Sequence, residues 1–420
     1  MHSFISSAAL MWLVVAEAAA QNCAAVTSRF QPKMGPGYQV RVIATGLKSP
    51  RHIRIDSAGN LLVAEGGTAT VRRLVLTEQG GNVCVSSNTA LTPAQSTNHG
   101  IDLSADGKTL YTSSLASVTA FPYNAAAGTV GTGKAIITGM SIQGTHPTRA
   151  ILVSKKNPDV LLVARGSQAN VDTQTTTQTA GRSMIKTFSL KQITAAPVQY
   201  TTGGEVLGWG LRNVVGMAED PISGNVFSVE NQMDDIRLGG RDVHNENPAE
   251  RLAYHGNLND TSNAQKGLNF GYPSCVPAWE TQQLGSSNLQ VGDLFMPDGV
   301  PQASDCARRA KGRLHFPAHT APLDVAFNAN ATSAYVAFHG SWNRNPADGY
   351  RVMRVDFDPA TGQPREAATS KTASIPVMEN TNFGVCPGAC FRPVGLAFDA
   401  KGRLYVSSDS SGEIYVITGA

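Results

Sequence analysis

Arginine and histidine side chains recur at one kind of position in this chain of 420 residues, directly before a short apolar segment. Histidine among arginines suits general-base chemistry, because neighbouring positive charge lowers the pKa of an imidazole and keeps it neutral. For any single residue the alternative is a structural role, since an arginine in a turn can simply satisfy loop carbonyls. The set consists of Arg51 and His52, Asn98 and His99, His146 and Arg149, Arg212 and Asn213, His319, and Arg392.

A second polar set follows the apolar segment that comes next in several of these places. Residues 229–235 offer acidic and amide oxygens, and oxygen ligands of mixed backbone and side-chain origin suit calcium. The spacing does not match an EF-hand loop, so a solvated turn is the alternative interpretation. The set consists of Arg165, Glu230-Asn231-Gln232, His339-Gly340-Ser341-Trp342 and Asp409.

Six copies of one pattern carry these polar sets: an apolar strand, a turn rich in Asp, Asn, Ser or Gly, and a second apolar strand. Each copy is typical of a β-hairpin, and a spacing of about 50 residues is what a four-stranded propeller blade needs. We therefore predict an all-β, six-bladed β-propeller; the alternative, a β-sandwich, fits six similar units poorly. The copies begin at Ile53, Ile101, Ile151, Met217, Val325 and Leu396.

The two ends of the chain indicate how the ring closes. After the sixth hairpin, residues 412–418 provide only a third strand, so we expect residues 38–44 to supply the missing fourth strand. Residues 1–20 are predicted to be a secretory signal peptide, and residues 21–420 one propeller domain. A long insertion is expected at about residues 234–317, and loops of that length are usually functional.

The two polar sets should share one face of this propeller, because both ends of an antiparallel hairpin lie at the same edge of a sheet. The first set should then surround the mouth of the channel. Several arginines around one pore repel each other unless an anion neutralises them. The sequence therefore predicts a ligand with several negative charges at the mouth.

Composition and cysteine content favour a folded, secreted protein. The chain is 41% hydrophobic and only 15% charged, which excludes a largely disordered chain. Its net charge of +3 is spread along the sequence, so we expect neither nucleic acid nor a membrane as partner. Six cysteines and the sequons at Asn259 and Asn330 are typical of an extracellular glycoprotein. Of the pairings that six cysteines allow, we expect Cys23–Cys84, Cys275–Cys306 and Cys386–Cys390.

Four motifs carry a resemblance to a known family: GLRNVVGMA (210–218), LNFGYPSC (268–275), AFHGSWNR (337–344) and FRPVGLAFD (391–399). With them the chain resembles the sorbosone-dehydrogenase-like and soluble glucose-dehydrogenase-like quinoproteins. It is most similar to the secreted fungal pyranose dehydrogenases that use pyrroloquinoline quinone (PQQ). The resemblance extends from about residue 38 to the end of the chain.

This resemblance implies a six-bladed propeller with PQQ and Ca²⁺ at the channel mouth, where the three PQQ carboxylates would meet the arginines. His99 falls on the family's catalytic histidine, which takes the proton of the sugar C1 hydroxyl while hydride passes to the quinone. Arg212 falls near the quinone, where charge develops on reduction. The remaining cofactor-binding expectations are Arg51, Arg149, Asn213, His339, Trp342 and Arg392, and the calcium expectations are Asn231 and Gln232.

The predicted function is a secreted PQQ- and calcium-dependent dehydrogenase that oxidises the C1 hydroxyl of a pyranose. His339 stands where bacterial relatives place a lysine on PQQ, so the chain departs from their pattern at this position. Because the chain stops at the propeller, electrons are expected to pass to an external acceptor, a haem protein or a copper polysaccharide monooxygenase. The alternatives are a calcium-dependent lactonase-type hydrolase, which would need a carboxylate-lined channel, and a non-catalytic binding propeller.

Overall fold

The computed structural model describes residue 23 and residues 26–141, 144–285, 288–303 and 305–420. Six antiparallel sheets surround a central channel, and the first strand of each sheet contacts the first strands of its neighbours. The predicted six-bladed β-propeller is therefore confirmed. The signal peptide predicted at residues 1–20 lies outside the described residues.

Each blade has four main strands, which follow one another from the channel outwards. Blades 1 to 3 consist of Pro50–Ile55, Leu61–Glu65, Thr70–Gln79 and Asn82–Ala90; of Ile101–Leu103, Thr109–Ser113, Val118–Asn124 and Lys134–Thr138; and of Ile151–Val153, Val160–Arg165, Met184–Ser189 and Glu205–Trp209. Blades 4 and 5 consist of Asn213–Glu219, Asn225–Asn231, Glu250–Asn257 and Leu314–Phe316; and of Pro322–Phe327, Ser333–Phe338, Arg351–Asp358 and Ser374–Glu379. Blade 6 consists of Pro393–Phe398, Leu404–Ser408, Glu413–Thr418 and Gln39–Ala44.

Short elements accompany the blades. The additional strands are Lys33–Met34, Thr129–Val130, Val198–Gln199, Arg237–Leu238, Arg241–Asp242, Leu268–Asn269, Val276–Pro277, Leu294–Phe295 and Gln363–Pro364. The helical segments are the α-helix Leu190–Ala195 and the 3₁₀ turns Thr173–Thr176, Gln178–Ala180, His244–Glu246, Thr281–Leu284 and Phe383–Val385. In the part of the chain that the structure describes, no helix has the length and apolar character needed to cross a membrane.

The N-terminal strand closes the ring in the way that the sequence predicts. Gln39–Ala44 pairs antiparallel with Glu413–Thr418, with Gln39 opposite Thr418 and Val42 opposite Tyr415. The last blade is thus made from both ends of the described chain, which removes an unpaired strand edge.

The apolar core lies between the blades. Successive side chains of a strand point to opposite faces of the sheet, so Leu61 and Val63 pack against blade 6, whereas Leu62 and Ala64 pack against blade 2. Both faces are buried, which explains why these strands read as continuous apolar runs. Among the described residues, one apolar cluster fills each of the six gaps between neighbouring blades.

Glycine lets the inner strands of neighbouring blades approach each other at three points around the channel. Cβ atoms essentially never come within 3.0 Å of backbone in this way, so none of the three positions has room for a side chain. An added Cβ would lie 2.4 Å from Arg149 O at Gly100, 2.4 Å from Asp324 Cα at Gly216, and 2.5 Å from Arg51 O at Gly395.

Two buried aspartates then connect the inner strands by hydrogen bonds. Asp102 of blade 2 accepts a hydrogen bond from the Val153 amide of blade 3 at 2.8 Å. Asp324 of blade 5 accepts one from the Leu396 amide of blade 6 at 2.9 Å. These carboxylates satisfy amides that face the channel, and they fix the height of one blade against the next.

The predicted insertion consists of two stretches, because the outer strands of blade 4, Glu250–Asn257 and Leu314–Phe316, lie within it. The additional chain is therefore residues 232–249 and 258–313. The two stretches share an apolar cluster that includes Met233, Tyr272 and Phe295. All three expected disulfides, Cys23–Cys84, Cys275–Cys306 and Cys386–Cys390, are present.

The contact at Gly395 gives a prediction about the central ring. Gly395→Ala would press a methyl group against the backbone of Arg51, so we expect a free energy of unfolding lower by about 1–3 kcal/mol. The control is Gly388→Ala, whose added Cβ would have only Val385 O at 3.8 Å nearby. Urea unfolding of both variants measures the difference, and equal stabilities would contradict the close-contact account.

Candidate active site at the channel mouth

Four of the predicted site residues form one connected network at the mouth. Asp409, after the second strand of blade 6, accepts hydrogen bonds from Arg51 Nη1 at 2.7 Å and from His339 Nε2 at 2.8 Å. Arg51 Nε also donates to His99 Nδ1 at 3.2 Å. Arg392 joins the network by donating to the carbonyls of His339, at 3.0 Å, and of the following Gly340. Side chains from blades 1, 2, 5 and 6 therefore meet at one point.

Asp409 is the anionic centre of this network. Burial alone would raise the pKa of Asp409, but His339, Arg51 and Arg392 outweigh burial and hold that pKa well below its usual range. Arg392 differs from Arg51: among the described residues no carboxylate lies within ion-pair distance of it. The Arg392 guanidinium is therefore a fixed cation at the mouth that feels the charge of Asp409 but makes no direct ion pair with a described carboxylate.

His99 is completely buried beneath this network. Its Nε2 lies 2.9 Å from the carbonyl oxygen of Val215, which can only accept, so Nε2 carries the hydrogen. The bare nitrogen is then Nδ1, which accepts from Arg51. Burial and, next, the charge of Arg51 hold the pKa of His99 well below its usual value. The imidazole is therefore neutral, as a general base must be.

Arg212 lies in a second network at the start of blade 4. Its Nη1 donates to the backbone carbonyl of Gln232 at 2.6 Å, and its Nη2 donates to Asp234 at 2.9 Å and to the side chain of Asn170 at 3.0 Å. Asp234 also lies 3.5 Å from His319. Burial alone would lower the pKa of His319, but the hydrogen bond with Asp234, the charges of Glu250 and Asp234 and the His244 carbonyl together outweigh burial, and the pKa is raised.

Two buried amide side chains accompany Arg212. Asn213 Oδ1 and both polar atoms of the Gln232 side chain are buried without a hydrogen-bond partner among the described residues. Buried polar groups are almost always paired, so an unpartnered set beside a channel indicates a place for a polar ligand. Asn231 is different, because its Nδ2 already donates to Pro322 O at 2.7 Å.

Two of the predicted site residues are not brought together with the others. Arg149 is fully buried and donates to the backbone carbonyls of Met140, His146 and Thr148. Burial lowers the pKa of Arg149 to about 10, so the residue stays charged but faces protein only. Trp342 is 69% exposed, so its ring does not pack in the mouth.

Sequence reasoning placed His52 and Asp409 on this face but gave neither a role, and it did not single out Asp324. Asp409 occupies the same place after a second strand in blade 6 as His339 does in blade 5, which identified its position but not its contacts. Asp324 is a carboxylate inside an otherwise apolar strand, and His52 directly follows Arg51. In the described part of the chain no cluster of three or more His, Cys, Asp or Glu side chains could hold a metal ion.

The fold and this mouth define a class: a six-bladed propeller with a buried neutral histidine among fixed arginines. Comparison with known proteins identifies the family within this class, since the TrAA12-like family model matches residues 32–420. A Hypocrea jecorina protein called PQQ-dependent sugar dehydrogenase is 40% identical, over 97% of this chain and 95% of that one. The chain therefore belongs to the TrAA12-like family, and the predicted resemblance and oxidoreductase class are confirmed.

Solved structures agree with this assignment. A calcium structure of the Trichoderma reesei family AA12 carbohydrate-active enzyme has a TM-score of 0.90 and 40% identity, covering 95% of this chain and 100% of that one. The holo form of the pyranose dehydrogenase PQQ domain from Coprinopsis cinerea has a TM-score of 0.88 and 36% identity, covering 94% and 99%.

The ion pairs of Asp409 give a pH-dependent prediction. Because the folded-state pKa of Asp409 is depressed below the unfolded value of about 3.9, its stabilisation is present above that pH and is lost as pH falls further. Asp409→Asn should reduce the free energy of unfolding by about 3 kcal/mol at pH 7 and by less at pH 3. Urea unfolding at both pH values measures this, with Asp305→Asn as control, because Asp305 is partly exposed and its ion pair with Arg308 lies at the surface. A deficit that is the same at both pH values would be inconsistent with the ion pairs.

Proposed function

We propose that this protein is a PQQ- and calcium-dependent dehydrogenase that oxidises the C1 hydroxyl of a pyranose and passes the electrons to an external acceptor. The observation that carries the proposal is His99, a buried neutral imidazole next to Arg51 at the mouth of a TrAA12-like propeller. The names of the relatives point to the same chemistry, since they are PQQ-dependent sugar and pyranose dehydrogenases.

The residues at the mouth fit a cofactor with several carboxylates. Arg392 has no carboxylate partner among the described residues, and Arg51 shares Asp409 with His339. We assign Arg51, Arg392 and His339 to the carboxylates, and Arg212 and Asn213 to the polar groups of the ring system. Arg149 would act through the backbone that it holds, and the exposed Trp342 would line the entrance rather than the ring system. PQQ, when bound, supplies the two-electron acceptor for the hydride of the sugar carbon.

The protein's own part in the reaction is to remove a proton. His99 Nδ1 is the nitrogen without a hydrogen, and burial, followed by the charge of Arg51, holds the pKa of the imidazole well below its usual value. Arg51 donates to this nitrogen, so the sugar hydroxyl would have to take the place of Arg51 before transferring its proton. Arg51 would keep its ion pair with Asp409, whose oxygen lies 2.7 Å from Arg51 Nη1. His99 would thus be the base, and the Arg51–Asp409 pair would cover its Nδ1 atom until the sugar binds.

Calcium is a separate part of the proposal, and its two expected ligands fit unequally. The side-chain oxygen of Gln232 is buried and has no hydrogen-bond partner among the described residues, which suits a cation ligand. The Gln232 carbonyl is taken by the Arg212 guanidinium, and the side chain of Asn231 already bonds Pro322. The support for calcium beyond Gln232 is the relative whose structure is named as a calcium structure.

Secretion and the external acceptor also belong to the proposal. Three disulfides are typical of proteins that work in an oxidising compartment, in agreement with the leader-like residues 1–20. A haem protein or a copper polysaccharide monooxygenase would take the electrons.

The charge at the mouth that has no ion-pair partner is the Arg392 cation, whereas a calcium-dependent lactonase would need a channel lined by carboxylates. No feature of the mouth favours a lactonase or a non-catalytic propeller.

Titration of the apoprotein with PQQ tests this proposal. We expect binding that is tighter with calcium than with a chelator, followed by dye reduction when a pyranose is added. Arg392→Ala should weaken PQQ binding about 10- to 100-fold, because a hydrogen-bonded charge contact is lost. Arg308→Ala is the matched control, because the Arg308 side chain is 87% exposed and pairs with Asp305. Absence of PQQ binding, or equal affinity of both variants, would contradict the proposal.

A further inference from the structure

His146, in the segment that leads into blade 3, uses only one of its two ring nitrogens for hydrogen bonds with the described residues. Nδ1 lies 3.0 Å from the carbonyl oxygen of Ser167 and 2.9 Å from the Ser167 hydroxyl. A carbonyl oxygen can only accept, and the hydroxyl already donates to Ala169 O at 2.7 Å, so Nδ1 carries the hydrogen. Nε2 is therefore the bare nitrogen, and none of the described residues donates to it.

The His146 imidazole is held in its neutral form. Burial and, next, the charge of Arg212 lower the pKa of His146 to about 3. The Ser167 carbonyl and the charge of Asp234 act in the opposite direction without outweighing burial, and Arg149 adds a further positive charge nearby. A neutral ring with its tautomer fixed by Ser167 presents one hydrogen-bond acceptor, the lone pair of Nε2.

Close contacts hold His146 beside the arginine and asparagine that begin blade 4. A Cβ added at Gly166 would lie 2.9 Å from His146 Cβ and 2.5 Å from Asn213 Oδ1, so both side chains flank the same glycine. The amide of Ser167, whose carbonyl orients the imidazole, donates to Arg212 O at 2.8 Å. His146 is thus fixed next to the two residues that we assign to the ring system of the cofactor.

The neighbouring blade on the other side carries the proposed base. Asn98, the residue before His99, donates from Nδ2 to Pro147 O at 3.0 Å. This bond joins the segment of His146 to the start of blade 2. His146 therefore lies between the proposed base of blade 2 and the cofactor residues of blade 4, and its side chain is partly exposed at the mouth.

The side of the mouth formed by blades 2 and 3 offers acceptors rather than cations. Because Asn98 Nδ2 donates to a carbonyl, Oδ1 is the remaining atom of that amide, and it is buried without a partner among the described residues. The arginines of blade 3, Arg149 and Arg165, donate to backbone carbonyls, whereas Arg392 belongs to blade 6. Carboxylates would bind on the cationic side, so the acceptor side suits a neutral ligand with several hydroxyl groups.

We propose that His146 Nε2 accepts a hydrogen bond from a hydroxyl group of the bound pyranose and that this contact helps to select the sugar. The inference rests on the proposed function, which places the C1 hydroxyl at His99. The hydroxyl at His146 is a different one, because the C1 hydroxyl gives its proton to His99. No bond is broken at His146. A site that accepts from a sugar hydroxyl discriminates against sugars in which that group is missing or inverted.

The chemistry of the two bound molecules favours the sugar as the donor. PQQ presents carboxylates and carbonyl oxygens, which are acceptors, and its only ring donor is the N–H group of the pyrrole. A pyranose presents an O–H donor at most of its carbon atoms. The bare Nε2 atom therefore fits the sugar, and the experiments below separate the two molecules.

The test compares two substitutions that separate the two nitrogens of His146. His146→Asn keeps an N–H group at the place of Nδ1 and removes the acceptor, whereas the matched control, His146→Gln, puts an amide oxygen near the place of Nε2. We expect His146→Asn to raise the KM for the sugar about 3- to 10-fold with kcat unchanged, because one neutral hydrogen bond is lost equally from the ground and transition states. His146→Gln should retain a KM within about twofold of the wild type.

Deoxy sugars identify the hydroxyl that makes the contact. The 2-, 3-, 4- and 6-deoxy analogues of a pyranose that the wild type oxidises are compared in both proteins. For one analogue the wild-type KM should rise by the same factor as with His146→Asn, and the variant should show no further rise with that analogue. A KM for the parent sugar that His146→Asn leaves unchanged, or losses that add up for every analogue, would overturn the contact.

Titration of the same variants with PQQ separates the sugar from the cofactor. We expect His146→Asn to bind PQQ like the wild type. If its PQQ affinity falls by the factor that its KM rises, the donor is the cofactor and the sugar contact is wrong. A wild type that binds no PQQ would instead contradict the proposed function, and this inference with it.

A spectroscopic measurement reads the nitrogen without removing it. In holoenzyme whose PQQ has been reduced beforehand, the sugar binds without reacting. With ¹⁵N-labelled histidine, the His146 Nε2 signal should be that of an unprotonated nitrogen at about pH 5 and should shift when sugar is added. A protonated Nε2, or a signal that sugar leaves in place, would refute the proposal. If His146→Asn fails to fold, this measurement decides, with His146→Gln providing the assignment.

Discussion

The close approach of the six inner strands is the constraint on which the rest of the structure depends. Gly100, Gly216 and Gly395 bring backbone against backbone, and the Asp102 and Asp324 carboxylates bond amides of the neighbouring blades. Apolar layers between the blades supply most of the burial, but they do not fix the height of one blade relative to the next. The inner strands fix this height. The mouth residues lie at the start of these strands, except for those that follow the second strand of a blade.

Charge compensation within the protein changes what the arginines at the mouth imply. Their positions in the sequence suggest an uncompensated ring, whereas in the structure Asp409 pairs with Arg51 and Asp234 pairs with Arg212. Only part of the positive charge is therefore left for a ligand, and Arg392 carries most of it. A bound polyanion would compete with Asp409 for Arg51, which ties cofactor binding to the exposure of His99 Nδ1.

The fold could be predicted from the sequence because its signals are local and repeated. Each hairpin has its own turn residues, and the strand missing at one end of the chain is present at the other. The site could be predicted only to the level of which residues share a face. Strand periodicity does not show that Arg149 turns into the protein, that Trp342 remains exposed or that Asp409 bridges two blades. Those outcomes depend on contacts between side chains far apart in sequence.

The most direct test of the mechanism is a rate measurement on His99→Ala reconstituted with PQQ and calcium. We expect the variant to bind PQQ like the wild type, because His99 carries no charge to offer it. Its sugar-driven dye reduction should be about 100- to 10,000-fold slower, the usual contribution of a general base. A variant that binds PQQ and turns over at the wild-type rate would contradict the assignment of His99 and, with it, the mechanism.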